Sequence, residues 1–499
     1  TRGQLYTGPV RIARTTTLRA AAFKDGLGPT NTDTHTYIFL DDVITQNVMR
    51  TSITRDPRYA PQMRGALTDL PSLCITSPSS INGSSEVLIS LELIHPNGQE
   101  GFQEDAGGRH YGGAWTNFAK KNFRIYFRSE YGDSKLRYPL FDGHSNGISP
   151  VEVFDHIELR AGSHDMNQRG FYMSNRFTDD TMLDMGNLNP HGRFIHLYLN
   201  GTYWGQYHLR ERWSADMLAQ YLGGEKEDYE AINGNWNVGG WPDPGDPFDG
   251  DGSAWTRIKS LRGDFEAVSP YLDVGHYVDY MLMFMFGNSE DEYRCVGPVG
   301  AGSGFKFVLN DADGFTRSAG NRTGMVAPGR SAGDGPGSIF SMLLRENHPD
   351  YRILLADRIQ ELFFNDGPMT PAKNRARLLK RCEQVERAFI AEAARWDYRS
   401  PTSWASARDS YVNGVLPGRT QQAVNEYRDA GFMLPIPVPN LVIEGRDQHG
   451  GAIRTGDFLS IGILGLERFV VRRSLLEADS EMSISIPRNG EMGTEWTLP

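Results

Sequence analysis

The chain has 499 residues, of which 39% are hydrophobic and 23% charged, and its 62 acidic against 51 basic side chains give a net charge of -11. That length has room for one large domain with smaller companions, or for about three ordinary domains. The acidic balance argues against a protein that neutralises the phosphates of a nucleic acid. The most apolar stretch, residues 277–286, is too short to cross a bilayer and carries Asp279, so no membrane span is predicted.

Cysteine usage and the first residue bear on the class of protein. Cys74, Cys295 and Cys382 lie far apart and form no C-x-x-C pair. Such spacing indicates neither a disulfide framework nor a thiolate zinc site. The first residue is Thr1 rather than Met, and we expect the sequence to be a window cut from a longer exported protein.

Residues 1–42 have the composition of short strands. Gly and Pro turns separate three stretches that are rich in Thr, Tyr, Ile and Val. β-Branched and aromatic residues bounded by such turns are typical of strands. We therefore predict three strands of a small β-sandwich at residues 5–12, 15–23 and 33–39.

From about residue 72 to residue 317, strands and turns alternate with a few helices, which predicts a mixed α+β body. Apolar periodicity predicts helices at 216–222 and 274–286, and a Gly- and Pro-rich stretch at 233–253 predicts a long surface loop. Strands are predicted at residues 87–94, 122–128, 156–160, 194–199 and 204–210.

The remaining chain is predicted to be helical first and then β-structured. Residues 350–396 repeat apolar side chains with helical spacing, and Thr370-Pro371 suits an N-cap followed by the first helical position. From residue 435 a Pro-rich linker leads into strands.

The first candidate motif is a Gly-rich turn, AGGRHYGG at 106–113, followed by Lys120 and Lys121. Glycines let backbone N–H groups approach an anion, and a lysine on the next strand can reach phosphates as a point charge. The spacing is neither G-x-x-x-x-G-K-[ST] nor G-x-G-x-x-G. A Gly-rich β-hairpin with solvated Lys and Arg side chains is the alternative.

The second motif is an apolar strand that ends in Asn310, Asp311, Ala312, Asp313 and Gly314. Two carboxylates at a strand end could hold Mg²⁺ against nucleotide phosphates. The alternative is an Asp-rich turn, because Asn, Asp and Gly all favour turns.

The third motif follows the apolar helix at 274–286 and contains Glu290, Asp291 and Glu292. One of these carboxylates could accept the proton of a reacting hydroxyl. The alternative is a solvated loop at a helix end.

The fourth motif is an aromatic-rich hairpin with Asn200-Gly201 at its turn and Glu211 and Arg212 at its end. Asn-Gly between two alternating strands is a strong hairpin signal. Packing in the core explains most of this hairpin, and only Glu211 and Arg212 are positioned for another role.

Taken in order, these motifs resemble the CotH kinase-like family, named after spore coat protein H, over about residues 71–397. The resemblance implies an atypical protein-kinase-like, two-lobed α+β body that uses ATP with Mg or Mn to phosphorylate serine or threonine in protein substrates. It is carried by the phrases AGGR (106–109), GG (112–113), KKNFR (120–124), YG (131–132), YPLF (138–141), LR (159–160), HLYLNG (196–201), YWG (203–205), ER (211–212) and DAD (311–313).

The resemblance also implies roles for residues near the nucleotide. Lys120 matches the lysine that contacts the phosphates, and its neighbour Lys121 stays open as the alternative. Arg109, in the Gly-rich phrase, and Glu211, at the end of the hairpin, are expected close to the nucleotide.

For the metal and the catalytic base, the resemblance implies Asp311 as the first metal ligand and Asp313 as the second. The family shows a Gly-Asn-Trp-Asp phrase where this chain departs from the pattern after Gly287-Asn288. Chemistry favours Asp291 as the base and alignment favours Glu290, so both stay candidates.

The ends of the chain resemble accessory β modules. Residues 1–42 are similar to part of a chitobiase/β-hexosaminidase C-terminal-like module, residues 435–486 resemble a second one, and residues 487–499 resemble the start of a further β domain. We expect small β-sandwich modules at both ends of the body and an extracellular or cell-surface location. The alternative function is a non-catalytic pseudokinase that acts as a surface or matrix adhesion protein, with β modules that bind polysaccharide.

Overall fold

The computed structural model describes residues 3–112, 118–144, 147–166, 170–234, 245–287, 293–310, 312–315, 323 and 335–433. Beyond residue 439 it describes the backbone of six strands. Helices and strands both contribute to the described residues, which confirms the predicted α+β content.

The strands, in chain order, are β1 Thr16–Ala20, β2 Asp33–Tyr37, β3 Ser72–Thr76, β4 Val87–Ile94, β5 Phe102–Tyr111, β6 Asn122–Tyr126, β7 Leu136–Arg137, β8 Val153–Phe154, β9 His156–Arg160, β10 Gly192–Leu199, β11 Thr202–Glu211, β12 Tyr229–Gly234, β13 Asp246–Asp249, β14 Tyr293–Pro298, β15 Lys306–Leu309, β16 Asn440–Ile443, β17 Arg446–Asp447, β18 Phe458–Gly462, β19 Arg468–Leu475, β20 Ala478–Ser485 and β21 Trp496–Thr497.

The α-helices are α1 Leu40–Ile44, α2 Thr51–Thr54, α3 Met63–Ala66, α4 Ser174–Asp184, α5 Ala215–Leu222, α6 Ser253–Leu261, α7 Phe265–Val268, α8 Val274–Gly287, α9 Pro336–Glu346, α10 Pro349–Phe363, α11 Pro371–Val385, α12 Ala388–Arg395, α13 Pro401–Ser410 and α14 Leu416–Asp429. A π-helical turn, Tyr411–Val415, joins α13 to α14.

Seven strands close into a barrel in the order β10-β11-β9-β6-β5-β4-β3. Neighbouring strands are antiparallel except for β3 and β10, which pair in parallel and complete the closure. Because side chains alternate along a strand, residues such as Ile125, Leu159 and Leu209 fill the barrel interior. The side chains between them therefore project outward from the barrel wall.

A second, antiparallel sheet has the order β13-β12-β14-β15 and packs with the helices. Its companion α8 is mostly apolar and is buried from His276 to Gly287, with its one carboxylate, Asp279, paired to Arg358, as expected of a helix at the centre of a large core. Helix α14 crosses the end of α8, where the Tyr427 hydroxyl donates to the Leu282 carbonyl at 2.7 Å. The helices α9 to α14 thus form one body around α8.

Local sequence sets several of the helix boundaries. Helix α9 ends at Asn347, which adopts the left-handed conformation at φ 59°, as Asn and Gly often do at helix ends. Helix α10 then begins with Pro349, whose fixed φ suits a first helical position. The predicted Thr370-Pro371 start of α11 is confirmed.

The structure departs from the predicted elements in two places. Residues 5–12 form no strand, so the first predicted strand is wrong; Pro9 offers no N–H there and Leu5 is 88% exposed. Among the described residues, β1 and β2 form a sheet of two strands. The predicted loop at 233–253 contains the end of β12, all of β13, which pairs with β12, and the first residue of α6, while residues 235–244 lie outside the described residues. Pro247 is tolerated in β13 because that strand lies at the sheet edge.

In the part of the chain that the structure describes, every helix falls short of the length and apolar character needed to cross a membrane.

Arg419 ties α14 to the end of α8, and its removal should destabilise the fold. Its buried guanidinium donates to the carbonyls of Phe286 (2.6 Å) and Met285 (3.0 Å) and to both carboxylate oxygens of Glu426 (3.0 Å each). Arg419→Ala leaves a buried carboxylate and two backbone carbonyls without their hydrogen-bond donor, so we expect the free energy of unfolding in urea to fall by about 3–5 kcal/mol. Arg428→Ala, on the exposed face of the same helix, should change it by less than about 0.5 kcal/mol. Equal losses in the two variants would contradict this assignment.

Candidate functional site

A fully buried ion pair joins the barrel to the helical body. Lys120 lies two residues before β6, and its Nζ donates to Glu392 Oε1 on α12 at 2.7 Å and to the Gln206 carbonyl on β11 at 2.7 Å. The side chains of Lys120 and Glu392 are 0% and 1% exposed. The other Glu392 oxygen accepts from the Gln206 N–H at 2.6 Å, so one carboxylate holds both a lysine and a strand.

The surroundings of this pair are aromatic. Lys120 Nζ lies 5.1 Å from the ring centre of Tyr172 and 4.8 Å from that of Tyr207, which places a cation against two ring faces. Burial lowers the pKa of Lys120 and raises the pKa of Glu392, while the attraction between the two charges opposes both shifts. Each charge is therefore tolerated because the other is present.

The close approach of β11 to α12 explains why the Tyr-Trp-Gly phrase has a glycine at position 205. Its φ is +114°, and a Cβ at this position would lie 2.6 Å from Glu392 Oε2 and 2.8 Å from Trp396 Nε1. Only a residue without a side chain lets β11 approach α12 this closely.

Beside this pair, the outer wall of the barrel carries charged residues in register. Arg124, Glu158 and Arg210 are direct cross-strand neighbours on β6, β9 and β11. Two residues further along β9, Arg160 is the cross-strand neighbour of His208 on β11. We call Arg124, Arg160 and Arg210 the cationic face. Arg124 Nη2 donates to Glu158 Oε1 at 2.6 Å. Burial raises the pKa of Glu158, but the positive charges of the surrounding arginines, Arg124 first, outweigh that effect. They hold the pKa of Glu158 well below its usual range.

Several buried side chains on this wall have polar atoms without hydrogen-bond partners among the described residues, among them Glu158 Oε2, Arg210 and Gln206. Arg210 is 1% exposed, its Nη1 and Nη2 make no hydrogen bond there, and its nearest acid is Asp179 at 3.8 Å. Gln206 is 0% exposed, and both polar atoms of its amide are likewise unbonded. Such groups each cost about 1–3 kcal/mol, and a bound ligand that supplies partners would remove the cost.

The Asp313 turn, residues 312–315, meets the cationic face at the end of β15. Asn175 on α4 donates through Nδ2 to Asp313 Oδ1, while Asn175 Oδ1 accepts from the Ala312 N–H at 3.0 Å. Arg160 Nη2 lies 3.6 Å from Asp313 Oδ1, and His164 Nδ1 lies 3.6 Å from Oδ2. The turn is thus clamped by a helix on one side and approached by a barrel arginine on the other.

A second buried carboxyl group, Asp165, lies beside His164 in the chain. Its Oδ2 accepts from the Ser174 N–H at 3.1 Å, and its Oδ1 has no hydrogen-bond partner among the described residues. Burial raises the pKa of Asp165 to about 6. Gly170 lies directly against this carboxylate, since a Cβ there would be 1.9 Å from Oδ1.

The structure places some predicted site residues in this region and others elsewhere. Asp313 lies in the clamped turn, and Lys120 lies in the buried ion pair. Asp311, Glu290 and Asp291 lie outside the described residues, so their predicted roles as metal ligand and base stay predictions.

Three further predicted residues have other surroundings. Arg109 donates through Nε and Nη2 to the Tyr126 hydroxyl, at 3.1 and 2.7 Å. Glu211 is buried and accepts from the His191 N–H at 2.7 Å and from the Tyr221 hydroxyl at 2.8 Å, five residues and roughly 16 Å along β11 from Gln206. Lys121 lines a cleft at one mouth of the barrel. The described contacts do not bring these three residues to the Asp313 turn.

Sequence reasoning missed Glu392, Asn175, Asp165 and Gln206. Asn175 and Asp165 lie in a stretch, residues 163–176, with no glycine-rich or carboxylate-paired pattern, and Glu392 is the single acid of α12, an amphipathic helix on which an acid ordinarily faces solvent. A signal was available for Gln206, a neutral amide between the aromatic residues Trp204 and Tyr207 of β11.

The polar groups around the Asp313 turn suit a hard cation bound together with phosphates. Among the described residues, no group of three or more His, Cys, Asp or Glu side chains forms a ready-made metal site. The Asp313 carboxylate and the Asn175 amide oxygen are nevertheless the oxygen ligands that Mg²⁺ or Mn²⁺ prefers. The unbonded N–H groups of Arg210 are donors that match phosphate oxygens.

Comparison with models of protein families gives a match. A family model described as CotH kinase protein matches residues 109–413, a span that includes Lys120, Glu392 and Asp313. Comparison with curated proteins gives no match.

The ion pair can be tested with a double-mutant cycle. Lys120→Met leaves the Glu392 charge buried and alone, so we expect the free energy of unfolding to fall by about 3–5 kcal/mol. Adding Glu392→Gln removes that charge but keeps an oxygen for the Gln206 N–H, and should recover at least about 1 kcal/mol. Urea unfolding of the wild type, both single variants and the double variant gives the coupling. Additive losses would show that the two side chains do not act as a pair.

Asp165 should make stability depend on pH. Its pKa is about 6 when folded and close to 3.8 when unfolded, so between those values the folded state binds more protons and stability falls as pH rises. Asp165→Asn lacks this effect, and its free energy of unfolding relative to wild type should increase by about 2 kcal/mol from pH 4 to pH 7. Asp216, whose pKa burial also raises to about 6, is present in both proteins and cancels.

Urea titrations at each pH provide this measurement, with the exposed Asp429→Asn as the control that should follow the wild type. A difference between Asp165→Asn and wild type that stays constant across the pH range would contradict the buried-carboxyl assignment.

Proposed function

Because the chain belongs to the CotH kinase protein family, we propose that it is an exported or cell-surface atypical kinase that transfers the γ-phosphoryl group of ATP to serine or threonine hydroxyls of proteins. The observation that carries this proposal is the pair of buried side chains, Arg210 and Gln206, whose unbonded polar atoms lie on the barrel wall that meets the Asp313 turn. A protein that binds a polyanion there gains partners for groups that otherwise lack them.

The proposed roles follow from the contacts. Arg210 and Arg160 would contact phosphate oxygens, because guanidinium groups bind them with paired N–H donors. Asp313 and the Asn175 oxygen would hold Mg²⁺ or Mn²⁺, together with Asp311 as the sequence predicts. When bound, the metal would neutralise charge on the transferring phosphoryl group.

Lys120 and Glu392 supply a lysine–glutamate ion pair, the kind of pair that protein kinases need in place for phosphoryl transfer. In the present arrangement Lys120 uses two of its three donors, on Glu392 and the Gln206 carbonyl. We propose that this pair fixes β11, and with it Gln206 and Arg210, against α12. The base is proposed to be Asp291 or Glu290, as the resemblance implies.

Arg210→Met separates a ligand-binding role from a structural one. Methionine fills similar space without hydrogen-bond donors. We therefore expect the free energy of unfolding of the ligand-free variant to equal or exceed that of the wild type, while its affinity for ATP with Mn²⁺ falls at least about tenfold. Calorimetric titration with ATP and urea unfolding give the two readouts. Arg137→Met, which removes an exposed arginine from β7, should change neither. A variant that is strongly destabilised but still binds ATP normally would identify Arg210 as a structural partner of Asp179 instead.

Transfer itself is tested with ATP labelled at the γ-phosphate and a general acceptor such as casein, alongside autophosphorylation. Asp313→Asn should lower the Mn²⁺-dependent rate at least about 100-fold by weakening the metal site. Binding of ATP by the wild type without any transfer would overturn the kinase proposal and favour the non-catalytic, pseudokinase alternative.

A further inference from the structure

A cleft of about 310 Å³ opens at one mouth of the barrel. Its floor is apolar, because Ile75, Phe123 and Leu199 pack with the side chains of the barrel interior. Phe123 and Arg124 are consecutive on β6, so the floor of the cleft and the cationic face lie on opposite sides of the barrel wall. The cleft is therefore separate from the proposed nucleotide site.

Aromatic rings form the walls of the cleft. His110 packs on Phe123 with 4.5 Å between ring centres. Trp204 is held by the end of α12, because Trp396 Nε1 donates to its carbonyl at 2.7 Å and the Arg395 guanidinium lies 4.6 Å from its ring centre. The indole ring is thus fixed in place before any ligand binds, which lowers the entropy cost of binding against it.

Hydroxyl and amide groups form the rim. Ser79, Ser80, Asn82 and Asn200 line it, and all four are exposed. The backbone N–H of Ser77 donates to Asn200 Oδ1 at 2.9 Å, which joins the two loops that carry these side chains. Ser and Asn side chains both donate and accept hydrogen bonds without carrying charge. Lys121 also lines the cleft but has interactions of its own, so no ligand group is assigned to it.

We propose that this cleft is a second binding site, for a neutral hexose or N-acetylhexosamine ring whose C–H face lies against Trp204 and whose hydroxyls contact the Ser and Asn side chains of the rim. A concave, mostly apolar pocket with a few polar groups at a barrel mouth is the form of a small-molecule site. A sugar ring has both an apolar face and a belt of hydroxyls, and so matches the floor, walls and rim together.

The polar rim is what favours a sugar over a hydrocarbon ligand. A hydrocarbon would displace water from the rim without replacing its hydrogen bonds, and that loss weakens binding. The proposal does not rest on the kinase function, because it uses none of the residues assigned to the nucleotide. It also places the sugar on the barrel rather than on the β modules at the ends of the chain.

The test compares neutral sugars with a ring that lacks their hydroxyls. Saturation-transfer NMR and calorimetric titration are run on the full chain with glucose, galactose, mannose and N-acetylglucosamine, with cyclohexanol as the matched ring and glucuronate as the charged counterpart of glucose. We expect at least one neutral sugar to bind at least about tenfold more tightly than cyclohexanol. Asn82→Ala removes an amide from the rim and should reduce that affinity about tenfold, while Asn413→Ala, at an exposed position on the π-helical turn, should match the wild type.

A second variant guards against loss of folding. Ser80→Trp places a ring at the exposed rim, so it should block sugar binding while the circular dichroism spectrum and thermal midpoint stay those of the wild type. Cyclohexanol binding as tightly as every sugar, unchanged sugar binding in Asn82→Ala and Ser80→Trp, or the failure of every sugar to bind would overturn the proposal. Glucuronate binding more than about tenfold more tightly than glucose would identify an anion site instead. Competition between ATP with Mn²⁺ and the bound sugar would also overturn it, because the cleft would then belong to the nucleotide site.

Discussion

The buried contact between Lys120 and Glu392 is the interaction on which the arrangement of this protein depends. It joins the start of β6, the backbone of β11 at Gln206 and helix α12 through one carboxylate and one ammonium group, both shielded from water. Two buried charges are stable only when their geometry satisfies them fully, so the barrel and the helical body have little freedom to shift against each other at this point. Gly205 is part of the same constraint, because any side chain there would separate strand and helix.

Barrel closure determines what lies on each side of the wall. Alternation fills the interior with aliphatic and aromatic side chains and leaves Arg124, Glu158, Arg160 and Arg210 on the outside, where cross-strand register sets them in rows. The second sheet and α4 then cover these rows and bring Asp313 to Arg160. Charges that would be solvated on an isolated barrel become buried, and the groups left without partners are those expected to meet a ligand.

The two adjacent lysines just before β6 lie on different surfaces of the barrel. Lys120 faces the helical body, and Lys121 lines the cleft at the barrel mouth, where the Tyr207 hydroxyl donates to the Lys121 carbonyl. Trp204 and Gln206 belong to the same strand, β11, so one strand contributes both to this cleft and to the proposed nucleotide site. The hairpin that the sequence predicts from Asn200-Gly201 is therefore the common support of both.

The amino-acid sequence by itself determined the strands at 87–94 and 156–160 and the buried helix α8. It also indicated the family, which the match over residues 109–413 confirms. It predicted no membrane span, and no helix among the described residues is long and apolar enough to form one. Alternation, apolar periodicity and collinear motifs are local signals, and each can be read from neighbouring residues. Only the tertiary structure decided the partners: Glu392 lies 272 positions from Lys120, and Asn175 lies 138 positions from Asp313. The parallel pairing of β3 with β10 and the burial that raises the pKa of Asp165 also arise from packing between distant segments, which no local pattern encodes.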